Sequence, residues 1–166
     1  MKYMGSKARH ARELLEIVLA DRKPGQWYVE PFVGGANMID KVEGNRIGAD
    51  YNPWVACLWQ AVADGWVPPD VVSEEKYDEA RGARNVDALT AFIGFGCSYS
   101  GKWFGGYARG DDAKGNPRNY CAESKRNILK QAESLQGVKF HHSSYDNLAI
   151  PDQSIIYCDP PYQGTT

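Results

Sequence analysis

Apolar positions along this chain repeat with two periods, and the change of period marks the elements. From Ala8 to Leu19 the residues Leu14, Leu15, Val18 and Leu19 fall at helical spacing. Trp27 to Glu30 is a short strand-like run that breaks at Pro31 into Phe32-Val33-Gly34-Gly35-Ala36, after which Asn37 to Val42 predicts a short helix. Arg46 to Asp50 predicts a second strand, ending in an acid. Asn52-Pro53 starts a helix with proline in its first turn, and Val55, Ala56, Leu58, Trp59 and Val62 form an apolar stripe. Strand, glycine turn, helix, strand ending in an acid, helix is the opening of a nucleotide-binding α/β sheet.

The rhythm then departs. Asp50 and Asp159 lie 109 positions apart, about twice what two ordinary α/β units use. The excess, roughly 66–120, begins as two helices, Ser73 to Arg81 and Val86 to Phe95, and becomes glycine- and aromatic-rich from Tyr99 to Arg109. Glu123 to Leu135 predicts a closing helix, with Ile128, Leu129, Ala132 and Leu135 toward the core and Gly137 as its stop. The strand pattern resumes in Val138 to Phe140 and in Ser154 to Cys158, the latter read as a buried strand. The organisation is therefore an α/β part (1–65), an inserted and mainly helical subdomain (66–120), and a return to the α/β part (121–166). No linker, repeat or low-complexity tract separates them.

Composition narrows this little. With 166 residues, 43% hydrophobic, the chain can bury one real core. No stretch approaches a membrane span, and Met1 to Gly5 does not open a signal peptide, so a cytoplasmic place is expected. Cys57, Cys97, Cys121 and Cys158 are scattered without metal spacing and read as buried thiols; no metal is expected. His141-His142 lacks a ligand pattern too, and reads as one ring in and one out on a strand. Net charge is −2, yet residues 101–130 carry seven basic against three acidic side chains, so that segment is +4 and the remainder −6. Such asymmetry suits a phosphate-binding surface, or a solvated loop and helix face.

Three stretches carry chemistry. In Asp159-Pro160-Pro161-Tyr162 two prolines fix the turn and remove two donors, so a carboxylate, outward carbonyls and an aromatic face share a strand end. An amino group on a flat heterocycle needs that set: two acceptors for its protons and a ring to stack on. Glu30-Pro31-Phe32-Val33-Gly34-Gly35 lets a ligand approach backbone and meet a helix N-terminus, unless it is merely a tight turn. Asp50, some twenty residues on, can take ribose hydroxyls, or can cap the helix starting near Pro53. Lys2-Tyr3-Met4-Gly5-Ser6-Lys7 offers a cation and an aromatic that could reach the same ligand.

Taken in order, these elements resemble the Dam-like, D12 class adenine-specific DNA methyltransferases. The match runs from Lys-Tyr-Met-Gly-Ser-Lys through Glu-Pro-Phe-Val-Gly-Gly, Gly-Ala-Asp-Tyr-Asn and Ser-Ser-Tyr-Asp to Asp-Pro-Pro-Tyr, with the insertion as target-recognition segment. The resemblance implies a Rossmann-like sheet with S-adenosylmethionine held by Tyr3, Lys7, Glu30, Phe32, Gly34, Asp50, Tyr145 and Asp159. It further implies that Asp159, Pro160, Pro161 and Tyr162 hold an adenine flipped from double-stranded DNA. Lys102, Arg109, Lys114 and Arg118 are then expected on phosphates, with Trp103 or Tyr107 near the groove or the vacated base; alternatively Trp103 and Phe104 form the insertion's own small core. Ser6 stands where the family commonly has glycine, and is expected to loosen the fit around the cofactor.

Relatives acting on RNA or protein glutamine also use an Asn/Asp-Pro-Pro-Tyr site, though they resemble this chain less in the lysine element and the insertion. A non-catalytic remnant binding the cofactor or DNA is the other reading. It draws on the chain's end, since the family's sheet normally continues and here Gln163 to Thr166 alone follow. The expectation is a truncated form whose last strand lies at a bare edge, prone to self-association or to pairing with a complementing chain.

Overall fold

Four short parallel strands form the sheet, in the order β3-β2-β1-β4. The computed structural model describes Tyr3 and residues 5–161. In chain order its elements are α1 (Ala11–Val18), β1 (Tyr28–Glu30), β2 (Arg46–Asp50), α2 (Pro53–Ala63), α3 (Glu74–Ala83), α4 (Ala88–Gly96), α5 (Tyr120–Leu135), β3 (Lys139–His142) and β4 (Ile155–Ile156). Single 3-10 turns sit at Ile39–Lys41 and Tyr99–Gly101. The register pairs Val29 with Ile47 and with Ile156, and Ala49 with His141.

Local chemistry accounts for the helix starts. Asn52 caps α2, its side chain accepting from the N–H of Trp54 and Val55, with Pro53 next to it in the first turn. Ser73, Asp87 and Asn119 cap α3, α4 and α5 in the same way. The predicted stripe of α2 is buried in full. One hydrophobic cluster runs from Leu15, Tyr28 and Val33 through Leu58 and Trp59 to Tyr77, Phe92 and Ile93 of α3 and α4, and on to Ile128 and Leu135 of α5. Helices α3 and α4 thus share the core of the sheet.

Several expectations need correction. Asn37 to Val42 is not a helix: it holds one 3-10 turn, because Met38 and Ile39 are pulled into the core and the chain turns back at once toward β2. The glycine turn therefore meets no helix N-terminus. Leu129 is largely exposed, and Gln131 takes the buried position beside Ile128 and Leu135. Both His141 and His142 are exposed, since β3 is an outer strand. Ser154 to Cys158 is not a buried strand: β4 has two ladder residues on the other outer edge, with Ile156 and Cys158 exposed and Ile155 half-buried, because β1 is its partner on one side. Cys97 and Cys121 are buried thiols 3.2 Å apart, whereas Cys57 is half-buried and Cys158 exposed.

Candidate cofactor and base-binding site

The strand order locates the site. Strands β2 and β3 lie to one side of β1, and β4 to the other, so chain direction across the sheet reverses between β1 and β4. Open α/β sheets bind ligands beyond the carboxyl ends of strands at such a switch point. Glu30 ends β1 there, and Asp159 follows β4.

Between β1 and β2 the chain makes a tight turn whose backbone is held by distant side chains. The Gly34 N–H donates to Asp50 Oδ2 at 3.0 Å, and the Gly34 carbonyl accepts from the Trp59 indole at 2.8 Å. The Gln131 amide nitrogen lies 3.2 Å from the Gly35 carbonyl and 3.1 Å from that of Ala36. Gly34 is in the left-handed region at φ +45°, and a Cβ there would sit 2.9 Å from the Tyr3 ring. The close approach that the glycines permit is thus made by Tyr3. Its ring also packs on Phe95 at 5.5 Å, and burial, with Asp50 nearby, pushes its hydroxyl up to about 12.

Asp50 does not cap α2, a role that Asn52 fills. Its carboxylate takes the N–H of Gly34 and, at 2.9 Å, the N–H of Asn52. Burial raises its pKa, against the pull of those two N–H groups and of His142. Two of the roughly four lone-pair sites of a carboxylate are engaged by these bonds, which leaves capacity for further donors.

Lys7 spans the sequence to reach Asp159, its ammonium 2.9 Å from Oδ1 and 2.8 Å from Oδ2. The N-terminal lysine element and the Asp-Pro-Pro turn therefore meet in space. Ser6 works in the same stretch: its hydroxyl accepts from the Asn37 side chain at 2.8 Å and from the Ala8 N–H at 3.2 Å. Through Asn37, Ser6 links this stretch to the glycine turn. Glu30 is 2% exposed and takes the Tyr28 hydroxyl at 2.8 Å; burial pushes its carboxyl up to about 8 despite that bond, and Asp159 adds to the rise. The Phe32 and Tyr145 rings lie 5.6 Å apart. Pro160 and Pro161 are exposed, while Tyr162 lies outside the described residues.

The insertion's basic residues differ in their engagements. Lys102 and Lys114 are exposed. Arg109 pairs with Glu74. Arg118 forms a two-point pair with Glu123, at 2.9 and 2.6 Å, and stacks over Tyr120. Trp103 lies against Trp54, Phe95 and Phe104 at 4.6–4.7 Å, over Gly94, where a Cβ would come within 2.3 Å of its ring. Tyr107 donates to the Val72 carbonyl at 2.7 Å and packs on Tyr77. Trp103 and Tyr107 thus pack, half-buried, against the shared core, Trp103 partly on Trp54 of α2. Past them, Gly110 to Arg118 folds back on itself, with Asp112 accepting from the N–H of Lys114 and of Asn116.

A family model for D12 class N6 adenine-specific DNA methyltransferase matches residues 3–93, more than half of the chain. The chain belongs to this family. No curated protein matches it.

For a D12 class methyltransferase the parallel sheet is the expected Rossmann-like core. The matched stretch covers the lysine element from Tyr3 on, the glycine turn, Asp50 and the helices α2 and α3. Sequence reasoning missed Trp59, Asn37 and Gln131, which hold the methyltransferase's glycine turn. Gln131 alone left a trace, as a polar residue in register with the apolar stripe of α5. Among the described residues no cluster of His, Cys, Asp or Glu suits a metal ion, and no helix is long and apolar enough to cross a membrane.

Proposed function

We propose that this methyltransferase holds S-adenosylmethionine beside the Gly34–Ala36 turn and transfers its methyl group to N6 of an adenine flipped out of duplex DNA. The carrying observation is the Lys7–Asp159 pair at the switch point, which joins the two ends of the chain beside the turn. The donor set fits the cofactor. Asp50 retains acceptor capacity for ribose hydroxyls, and the Glu30, Asp50 and Asp159 carboxyls suit a ligand with cationic centres. Tyr3, Lys7, Phe32 and Tyr145 would frame the same pocket.

When bound, S-adenosylmethionine supplies an electrophilic methyl on a sulfonium centre. This chain's residues then orient the nucleophile. The Asp159 carboxylate accepts one proton of the adenine amine in a hydrogen bond, and the Pro160 carbonyl accepts the other. Lys7 aims the Asp159 carboxylate, and Pro161 stiffens the turn. Tyr162 would stack on the base. The nitrogen lone pair is thereby directed outward, and one amine proton leaves to solvent after transfer. Orientation and electrostatics carry the rate, with no covalent enzyme adduct. Flipping costs a few kcal/mol, which binding must offset.

Residues 66–120 would serve as the target-recognition part, between the α/β parts 1–65 and 121–166. Lys102 and Lys114 are the leading phosphate contacts, and Arg109 and Arg118 join if DNA displaces their glutamate partners. The outer edge of β4 is where a strand from a second copy or a complementing chain would add, and light scattering of the purified chain tests it: a strict monomer would refute this part. Incubation with plasmid and cofactor, followed by methyl-sensitive restriction enzymes, tests the activity. Changed digestion supports it, and unchanged digestion with methylation of RNA or protein would replace it.

A further inference from the structure

Gln131 lies outside every motif of this chain, yet it is the most connected buried amide next to the glycine turn. It sits on the buried face of α5 between Ile128 and Leu135, at 6% exposure. A buried amide without partners would be costly. Its nitrogen faces four acceptors: the Ala36 carbonyl and Asp40 Oδ2 at 3.1 Å, the Gly35 carbonyl at 3.2 Å and Asn37 Oδ1 at 3.5 Å. An amide nitrogen carries two protons, so these bonds are shared across the turn and are not spent on one atom.

The turn does not need Gln131 to close, because the Ala36 N–H already donates to the Val33 carbonyl at 2.8 Å. What Gln131 fixes is direction. A peptide C=O and the next N–H point opposite ways. Holding the Ala36 carbonyl toward α5 therefore aims the Asn37 N–H away from it. Trp59, through the Gly34 carbonyl, does the same for the Gly35 N–H. Ala36 also carries φ +52°, a left-handed conformation uncommon for a residue with a Cβ, so something outside the turn must hold it.

The same helix is anchored to the insertion at its other end. Ser124 donates to the Gly96 carbonyl at 2.5 Å, and Lys125 pairs with Asp70 at 2.9 Å. One rigid element thus touches the insertion with its first half and the turn with its second.

We propose that Gln131 is a positioning residue that sets the Gly34–Asn37 turn in its cofactor-binding shape. This rests on the reading of that turn as the S-adenosylmethionine site. Two donor-free variants, Gln131→Leu and Gln131→Met, test it by calorimetry with S-adenosylmethionine and, separately, by DNA binding without cofactor. Cofactor affinity should fall on the order of tenfold, the scale of one or two hydrogen bonds, with DNA affinity unchanged. Cofactor affinity within twofold of wild type, or equal losses for cofactor and DNA, would overturn it.

A measurement on the wild type guards against variants that fail to fold. In a nuclear magnetic resonance titration with S-adenosylmethionine, the Gln131 side-chain amide signals should shift along with the Gly34 to Asn37 backbone amides. Shifts in the backbone amides with still Gln131 signals would overturn the inference alone. Absence of any cofactor binding by the wild type would overturn the functional reading and this inference together.

Discussion

Replacing Glu30 by glutamine should change how stability depends on pH. The Glu30 carboxyl is held at about 8 by burial, with the Tyr28 hydroxyl pulling it down in part; in the unfolded chain it titrates near 4.5. Below pH 4.5 both states are protonated and stability is highest with respect to this group. Between about 4.5 and 8 the unfolded chain has lost its proton and the folded protein keeps it, so each pH unit removes about 1.4 kcal/mol of stability. By pH 7 the loss is on the order of 3 kcal/mol, and above pH 8 it levels off. Glu30→Gln still accepts from Tyr28 and cannot ionise. Urea melts from pH 5 to 9 should therefore show the variant gaining on wild type by up to about 1.4 kcal/mol per pH unit and then reaching a plateau. A difference independent of pH would refute the reasoning. Tyr28→Phe should move the plateau upward, because the hydroxyl that favours the carboxylate is gone. A cationic cofactor bound near Glu30 should also expel its proton. The binding heat at pH 7 should then differ between phosphate and Tris buffers in wild type, and not in Glu30→Gln.

Asp50→Ala should cost about 1.5–3 kcal/mol of S-adenosylmethionine binding by calorimetry, the range for charged hydrogen bonds; unchanged affinity would remove Asp50 from the site. Gly94→Ala puts a Cβ within 2.3 Å of the Trp103 ring and should lower stability by about 1–3 kcal/mol in thermal melts. Wild-type stability there would mean that Trp103 is not packed on α4. Lys102→Glu with Lys114→Glu should flatten the log-affinity against log-salt slope for DNA by about 0.9 for each phosphate no longer neutralised, and an unchanged slope would place the DNA elsewhere.

Much of the frame was legible because it rests on local signals. Proline after asparagine and a five-residue stripe defined α2, and β2 ended at its acid as the pattern predicted. The turn after Gly35 was misread because helical composition there is overridden by burial of Met38 and Ile39. The approach of Tyr3 to Gly34, the indole of Trp59 and the amide of Gln131 join residues up to 96 positions apart, and no local spacing encodes such contacts. The basic segment was legible as charge, but which cations are engaged by Glu74 and Glu123 depends on how α3 and α5 pack. Trp103 could be read as core or as a base contact from sequence, and in the structure one side of its ring lies over the bare glycine at position 94.

The central claim is methyl transfer to adenine N6 at Asp159. Its most direct test incubates the protein with duplex DNA and S-adenosylmethionine, digests the DNA to nucleosides and quantifies N6-methyldeoxyadenosine by mass spectrometry, for wild type and for Asp159→Ala. The methylated nucleoside should accumulate with wild type and be absent with a folded Asp159→Ala. Methylation that survives in Asp159→Ala, or a methyl group found on another base or atom, would contradict the claim.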